Sequence, residues 1–450
     1  MIRAALAGAL LGVLWCGAAS AEPIEPAVGP PGATAPAPVP PPAGSDATSA
    51  PGETLSSDDL RDVLSEGPSP RDASEGEPPT GTVRFGIYRD SDQTTVLRVL
   101  GVVAQSWAHW LVTGSFGVDA VTSASVDVRS SPGLSKVDVT TGASGRSSTS
   151  GGQMTDTRYQ ATGGAGWKDS YGHAVNATSA VAIETDYASI SAGLNGAYDL
   201  RARTLTLLGG FTLTNNWISS VLDTTLHQTM FAGGWSAGAA LVVTRDDALR
   251  VRYDGKVADG YQASPYRNVR FGDWTAVLGQ QQITFSNTIG SVDGMPERVP
   301  DRRISHAAVL EWVHSLAPGL GLHPELRVTH DSWGIDALSA ALDLRIARPT
   351  WKMLVGYRFY LQSRADFFEP KYTQAPTMYT FYTSDKELGD QTGHALRLDL
   401  SHVLIDADRA GDARMMFNLQ LDAVHYVYPG FTLLPSRDSV FAMIGVSWEL

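Results

Sequence analysis

The sequence is short of everything that a disulfide, a thiolate site or a membrane-crossing helix needs. Its 450 residues hold one cysteine, Cys16. That residue lies in a segment laid out as a secretory signal, with Arg3 as the positive charge, residues 4–15 as the apolar run and Ala19-Ser20-Ala21 as the cleavage site. The bulky Trp15 before Cys16 is a poor fit to a lipid-anchor site. A mature chain starting at Glu22 then has no cysteine, which excludes disulfides and thiolate metal ligands and suits an oxidising compartment. Beyond residue 21 no run of about 18 apolar residues occurs, so no helix is expected to cross a bilayer. Positive charge is scarce as well: Lys and Arg number 34 against 47 Asp and Glu, a net charge of -13. With no basic stripe, nucleic acid is not an expected partner.

Catalytic signatures are missing too. There is no GxSxG elbow and no HExxH pair. His330, Asp331 and Ser332 are adjacent, but neighbours on a strand point to opposite faces and cannot form a relay. His306, His314, His323, His330, His394, His402 and His425 show no short ligand spacing. Gly163-Gly164-Ala165-Gly166 lacks the Lys-Ser/Thr ending of a phosphate loop and sits inside an expected strand. No enzyme, metal or cofactor is expected.

What the chain has in abundance is alternation. In residues 336–348, Leu338, Ala340, Leu342, Leu344 and Ile346 take one face, while Ser339, Ala341, Asp343 and Arg345 take the other. Residues 351–362 repeat it, and Leu396, Leu398 and Leu400 alternate with Arg397, Asp399 and Ser401. A period of two with charge on one face and apolar side chains on the other is a strand between two solvents. Hydrocarbon offers no partner to an open sheet edge, so such strands must close. The expected fold is therefore all-β, a transmembrane antiparallel up-and-down barrel of about sixteen strands (range about 14–16), placed in a bacterial outer membrane with lipid around it.

Three regions follow: a signal at 1–21, a Pro/Ala-rich and then acidic arm at 22–80, and the barrel at 81–450. The arm holds too little apolar surface to offset its ordering entropy; it is expected to be an extended periplasmic spacer or a docking segment for a periplasmic partner. Along the barrel, sixteen strands make every connection at one end short, most of them with clear turn residues, including 168–170, 246–247, 317–319, 348–349 and 408–411. The long connections 126–154, 217–232, 261–302 and 364–391 all fall at the other. Residues 269–286, within the longest loop, read either as a hairpin extending above the membrane or as a segment folded into the lumen. Trp107, Trp110, Trp167, Trp217, Trp312, Trp351 and Trp448 lie near strand ends, where an amphipathic ring belongs at headgroup level. Ile444, Val446 and Trp448 share a face of the last strand, which resembles the signal read by the barrel-assembly machinery, although the chain ends in Leu450 rather than an aromatic residue.

The inward charges are the candidate functional residues: Arg158, Glu184, Asp199, Arg252, Glu325, Arg327, Asp343, Arg345, Arg358, Arg397 and Asp399. They are compatible with the lining of a wet pore and with a plug of salt bridges. Sixteen strands enclose more space than side chains fill, which favours a water-filled lumen, in a passive channel or in the barrel component of an envelope transport system. A closed platform with periplasmic partners is the alternative, and a hydrolase a distant third.

Four phrases resemble those of a family of bacterial outer-membrane barrels known as domain of unknown function 3570: residues 119–125 (DAVTSAS), 260–269 (GYQASPYRNV), 330–335 (HDSWGI) and 357–368 (YRFYLQSRADFF). The resemblance spans the barrel, leaves out the arm, and implies location and architecture rather than activity. It draws attention to Tyr266, Arg267, Trp333, Tyr360, Gln362, Ala365, Asp366 and Phe367 at strand ends or in the adjoining long loops, as supports of those loops or as ligand contacts at the mouth.

Overall fold

The alternation becomes strands in the computed structural model, which describes residues 79–123, 154–200, 204–220, 223–271, 274–278, 281–285, 292–406, 413–431 and 434–449. The signal-like segment, nearly all of the arm, most of loop 126–154, the turn 408–411 and Leu450 lie outside the described residues. The barrel strands are β1 (Thr80–Asp90), β2 (Thr94–Trp107), β3 (Trp110–Ser123), β4 (Met154–Lys168), β5 (Ala174–Ile183), β6 (Tyr187–Leu200), β7 (Leu205–Ser219), β8 (His227–Val242) and β9 (Asp247–Gly260). They continue as β14 (Arg302–Ala317), β15 (Leu320–Asp331), β16 (Asp336–Arg348), β17 (Trp351–Gln362), β18 (Gln391–Ile405), β19 (Arg414–Val427) and β20 (Ser436–Glu449). Each pairs antiparallel with its sequence neighbour, and β20 returns to β1 to close the sheet. Closure leaves the barrel sheet without an open edge strand, which is what hydrocarbon demands.

At the closing seam Gly81 lies opposite Trp448. A Cβ at Gly81 would fall 2.3 Å from the indole, so the last strand's tryptophan needs a glycine beneath it. The outward face carries the apolar set, including Phe85, Leu97, Phe116, Leu213, Leu342 and Leu396, all exposed. Trp107, Trp110, Trp167, Trp217 and Trp312 are also exposed at strand ends, as an interfacial belt requires. Gly164 and Gly166 sit inside β4, where added Cβ atoms would meet Thr113 and Asn176.

The two ends differ as the turn residues predict. One end has the connections 108–109, 169–173, 201–204, 243–246, 318–319, 349–350 and 406–413. The other has 91–93, 184–186, 220–226, 332–335 and 428–435 together with 124–153, 261–301 and 363–390. Connection 220–226 is shorter than the expected 217–232, because β7 and β8 extend to Ser219 and His227. The hairpin expected at 269–286 is present as β11 (Trp274–Leu278) paired with β12 (Gln281–Phe285). It is flanked by a second small sheet of β10 (Asn268–Phe271) and β13 (Val292–Pro296).

Candidate functional site: the lumen wall and the braced mouth

Residues alternating with the exposed apolar set face the lumen. Val251, Tyr253, Leu326, Val328, Leu342, Val355, Tyr357 and Leu396 are exposed on the outside. This turns Arg252, Glu325, Arg327, Asp343, Arg345, Arg358, Arg397 and Asp399 inward. Arg158 is placed inward by exposed Tyr159 and pairs at 3.3 Å with Glu184, just past the end of β5. Arg252 meets Asp254 at 3.0 Å, Arg327 reaches the same carboxylate at 3.2 Å, Arg397 meets Asp422 at 2.9 Å and Arg345 meets Asp343 at 3.8 Å. Asp199 accepts from Thr206 at the short-turn end. Each of these ion pairs joins one strand to itself, to its neighbour or to the next but one, so the charges run along the wall.

The lumen has two unlike walls. Between their ends, β5 to β8 turn only uncharged side chains inward, such as Thr178, Ser191, Asn195, Thr212, Thr214 and Ser236. The opposite arc from β9 to β19 carries the arginines and carboxylates. Among the described residues, Arg84 on β1 and Arg358 on β17 have no carboxylate partner. Their register neighbours explain this: Arg84 lies opposite Leu100 and Gly445, and Arg358 opposite Ala341 and Ala395.

The residues marked by the family resemblance meet at the long-loop end. Tyr266 and Arg267 are buried at the base of loop 261–301. The Tyr266 hydroxyl donates to Asp186 in turn 184–186. Arg267 contacts Glu297 at 3.3 Å and Asp385 of loop 363–390 at 2.7 Å. Glu297 also accepts from Thr383 Oγ1 at 2.6 Å and from the Ser264 amide. Next to Asp385, the fully buried Lys386 faces Asp92 of turn 91–93 at 4.0 Å, and Glu387 pairs with Arg437 at 3.2 Å. In barrel order the connections β1–β2, β5–β6, β9–β14 and β17–β18 stand four strands apart. A chain of contacts linking all four spans the mouth, unlike the pairs lower down.

The remaining family positions secure this brace. Trp333 is buried, donates to the Arg302 carbonyl at 3.1 Å, carries the Arg303 guanidinium 4.5 Å over its ring and packs edge-on against Phe367. Gln362 donates to the carbonyls of Glu387 and Gly389 and accepts from the Tyr360 hydroxyl at 2.6 Å. Ala365 is buried, and the Asp366 amide donates to the Trp333 carbonyl. Phe271 meets Tyr372 and Tyr382 with ring centres 5.0 and 5.1 Å apart. Beside this core a half-open cleft of about 400 Å³ is lined by Trp333, Asp366, Phe367, Glu369, Tyr379 and Phe381. The positions marked by the resemblance are thus mostly committed to holding loops, with Trp333, Asp366 and Phe367 also on the cleft wall.

Burial pushes the Glu297 carboxyl up, opposed by the Arg267 guanidinium beside it. Burial likewise pushes Glu184 up, to about 7, against the lowering effect of Arg158. Glu184, Asp156 and Asp186 bring one carboxylate oxygen each within 4.8 Å of one another. They are a possible cation cradle, yet Arg158, Tyr266 and Thr185 already engage all three. The catalytic triplet is dissolved as expected: exposed His330 pairs with Asp336 at 2.8 Å, whereas buried Asp331 binds Arg303 and the amides of Trp333 and Ile335.

Sequence reasoning missed Asp92, Asp186, Glu297, Asp385, Lys386, Glu387 and Arg437. Most are turn or loop residues, where no periodicity marks which side chains become buried. The available signal was indirect: Asp385-Lys386-Glu387 sits in an acidic and basic cluster within a loop dense in aromatics.

No curated protein matches the chain. Among solved structures it is similar to one described as a bacterial polysaccharide outer membrane secretin, with 9% identity, 83% of this chain and 99% of that chain covered, and a TM-score of 0.45. It is similar to the CymD monoaromatic hydrocarbon channel, with 9% identity, coverage of 84% and 90%, and a TM-score of 0.37. A third is the siderophore receptor PirA from Acinetobacter baumannii, with 13% identity, coverage of 78% and 53%, and a TM-score of 0.36. Nothing those proteins bind or carry passes to this chain at such values. Over residues 232–447, from β8 to β20, the chain is similar to the family described as "Protein of unknown function (DUF3570)".

Proposed function

We propose that the protein is a passive channel of a bacterial outer membrane, oriented with its short turns in the periplasm and its long loops outside. The observation that carries this reading is the direction of the lumen ion pairs. They neutralise one another along the wall of a sixteen-strand barrel, which is wider than its side chains fill, and so leave the axis to water. The pore-lining roles belong to Arg158, Glu184, Arg252, Glu325, Arg327, Asp343, Arg345, Arg358, Arg397 and Asp399. Arg84 and Arg358, without carboxylate partners among the described residues, give the pore its preference for anions. The last strand is the segment offered to the assembly machinery, and the arm before Thr80 is the segment offered to a periplasmic partner.

The brace favours one second reading, a barrel closed at the mouth that serves as a surface platform. Single-channel recording of the full chain in a planar bilayer, with and without loop 261–301, separates the two. A channel gives discrete steps that grow when the loop is removed. Its reversal potential in a salt gradient lies on the anion side and moves toward zero in Arg84→Gln/Arg358→Gln. A folded barrel that stays silent in both loop forms sinks the channel.

A further inference from the structure

The half of the barrel from β9 onward repeats itself. Strands β9, β14, β15 and β16 run as strand, long loop, strand, short-end connection, strand, long-loop-end connection, strand, and β17 to β20 run the same way. The last connections of the two units, 332–335 and 428–435, share a glycine in the left-handed region, Gly334 at φ 85° and Gly430 at φ 83°. On the outward face each unit carries the same four side chains in the same register. In the first, the Tyr253 hydroxyl meets His306 Nδ1 at 2.6 Å, His306 lies opposite His330, and His330 Nδ1 meets Asp336 at 2.8 Å. In the second, the Tyr357 hydroxyl meets His394 Nδ1 at 2.8 Å, His394 lies opposite His425, and His425 Nδ1 meets Asp438 at 2.7 Å. Both tyrosines reach the histidine two residues diagonal to their own register partner, Ala308 in one case and Leu396 in the other.

All eight side chains are exposed; the histidines and aspartates lie toward the long-loop ends of their strands and the two tyrosines at mid-strand. Elsewhere on that outward face β5 and β6 present Ile183 and Ile190 instead. The hydrogen bonds set the chemistry. A carboxylate only accepts, so His330 and His425 must donate from Nδ1, which leaves an Nε2 lone pair in the neutral ring. A phenol both donates and accepts, so His306 and His394 are free to adopt that same tautomer. Directly opposed residues of an antiparallel pair hold their Cβ atoms about 4.5–5.5 Å apart, within reach of one shared ion. An imidazole whose Nδ1–H is held by a carboxylate is the usual outer support of a metal-bound histidine.

We infer that each Tyr–His–His–Asp row is a binding site for an imidazole-preferring divalent cation, zinc, copper or nickel. The Nε2 atoms of His306 and His330 hold one ion and those of His394 and His425 the other, with the outer coordination positions left to water. The proposal stands whether or not the lumen conducts.

The test is a calorimetric titration of the full chain, folded in detergent and purified without a histidine tag, with zinc chloride and, as a control, magnesium chloride. Two saturable equivalents of zinc and none of magnesium are expected. Zinc should fall to one equivalent in His330→Ala and to none in His330→Ala/His425→Ala, with the heat-modifiable gel shift of a folded barrel kept throughout. Asp336→Asn should weaken one of the two sites about 10–100-fold. Zinc binding that is absent from the wild type, or unchanged in the double histidine variant, overturns the inference. So does zinc lost only in Glu184→Gln, which would move the ion to the carboxylate cluster.

Discussion

The two ends of the barrel are held by different forces. At the short-turn end the chain reverses in a few residues, and backbone geometry does the work: Gly319 turns at φ 71°, and a Cβ there would fall 2.4 Å from the Ala347 carbonyl oxygen. At the long-loop end, side chains do it. Arg267, Glu297, Asp385, Lys386 and Asp92 link connections that are four strands apart, in surroundings dry enough to leave Lys386 at 1% exposure. A membrane barrel can thus be closed by sterics at one end and by buried charge at the other. The second closure is the one that rests on buried charge and so answers to deletion of a single buried charge.

The largest expected effect breaks the charged closure. Arg267→Met leaves Glu297 and Asp385 without their cation, and removing one partner of a buried pair costs about 3–5 kcal/mol. Loops 261–301 and 363–390 should become sensitive to limited proteolysis while the heat-modifiable barrel persists. If both loops stay protected, the brace does not depend on this pair.

Next comes the pH response of turn 184–186. The Glu184 carboxyl is raised from 4.5 to about 7 by burial, so the native state holds its proton more tightly than the unfolded chain does. The associated stability is fully present below pH 4.5 and is lost as pH rises through about 7. At about 1.4 kcal/mol per unit, the effect is on the order of 3 kcal/mol. The urea midpoint of the wild type should therefore fall between pH 5 and pH 8 more than that of Glu184→Gln. Parallel pH profiles would remove Glu184 as the source.

Glycine substitutions sharpen the contrast between the ends. Gly319→Ala combines a left-handed backbone with a clash against a carbonyl oxygen. Gly430→Ala, at φ 83° with nothing within 4 Å of the added Cβ, bears only the backbone cost of about 1–2 kcal/mol. The urea midpoint should drop further for Gly319→Ala; equal drops would show that the short-turn end has slack. The smallest effect belongs to the lumen wall. Arg345→Gln breaks a half-exposed pair with Asp343 at 3.8 Å and should cost less than about 1 kcal/mol by the same measurement.

Much of the barrel was legible from residue order. Alternation such as Leu342-Asp343-Leu344-Arg345 commits a strand to one register, since a slip of one residue would turn every charge into lipid. This is why the alternating segment 336–348 and the observed strand Asp336–Arg348 coincide. The sorting of short and long connections followed from the same strands. The long-loop site was read only in outline: the family phrases pointed to Tyr266, Arg267, Trp333 and Gln362, while their partners Asp186, Glu297 and Glu387 carried no pattern to find. The outward Tyr–His–His–Asp rows were hidden for a related reason: His306 and His330 are 24 residues apart and Tyr253 and His306 are 53, so these members meet only through strand register.

The sequence by itself determined the closed antiparallel barrel, its strand register and its two unlike ends, because period-two hydrophobicity and turn chemistry act between near neighbours. The tertiary structure alone decided that the lumen charges pair along the wall while the mouth charges pair across it. Which acid meets which base depends on distances between residues up to 294 positions apart, as for Asp92 and Lys386, and no local pattern encodes those distances.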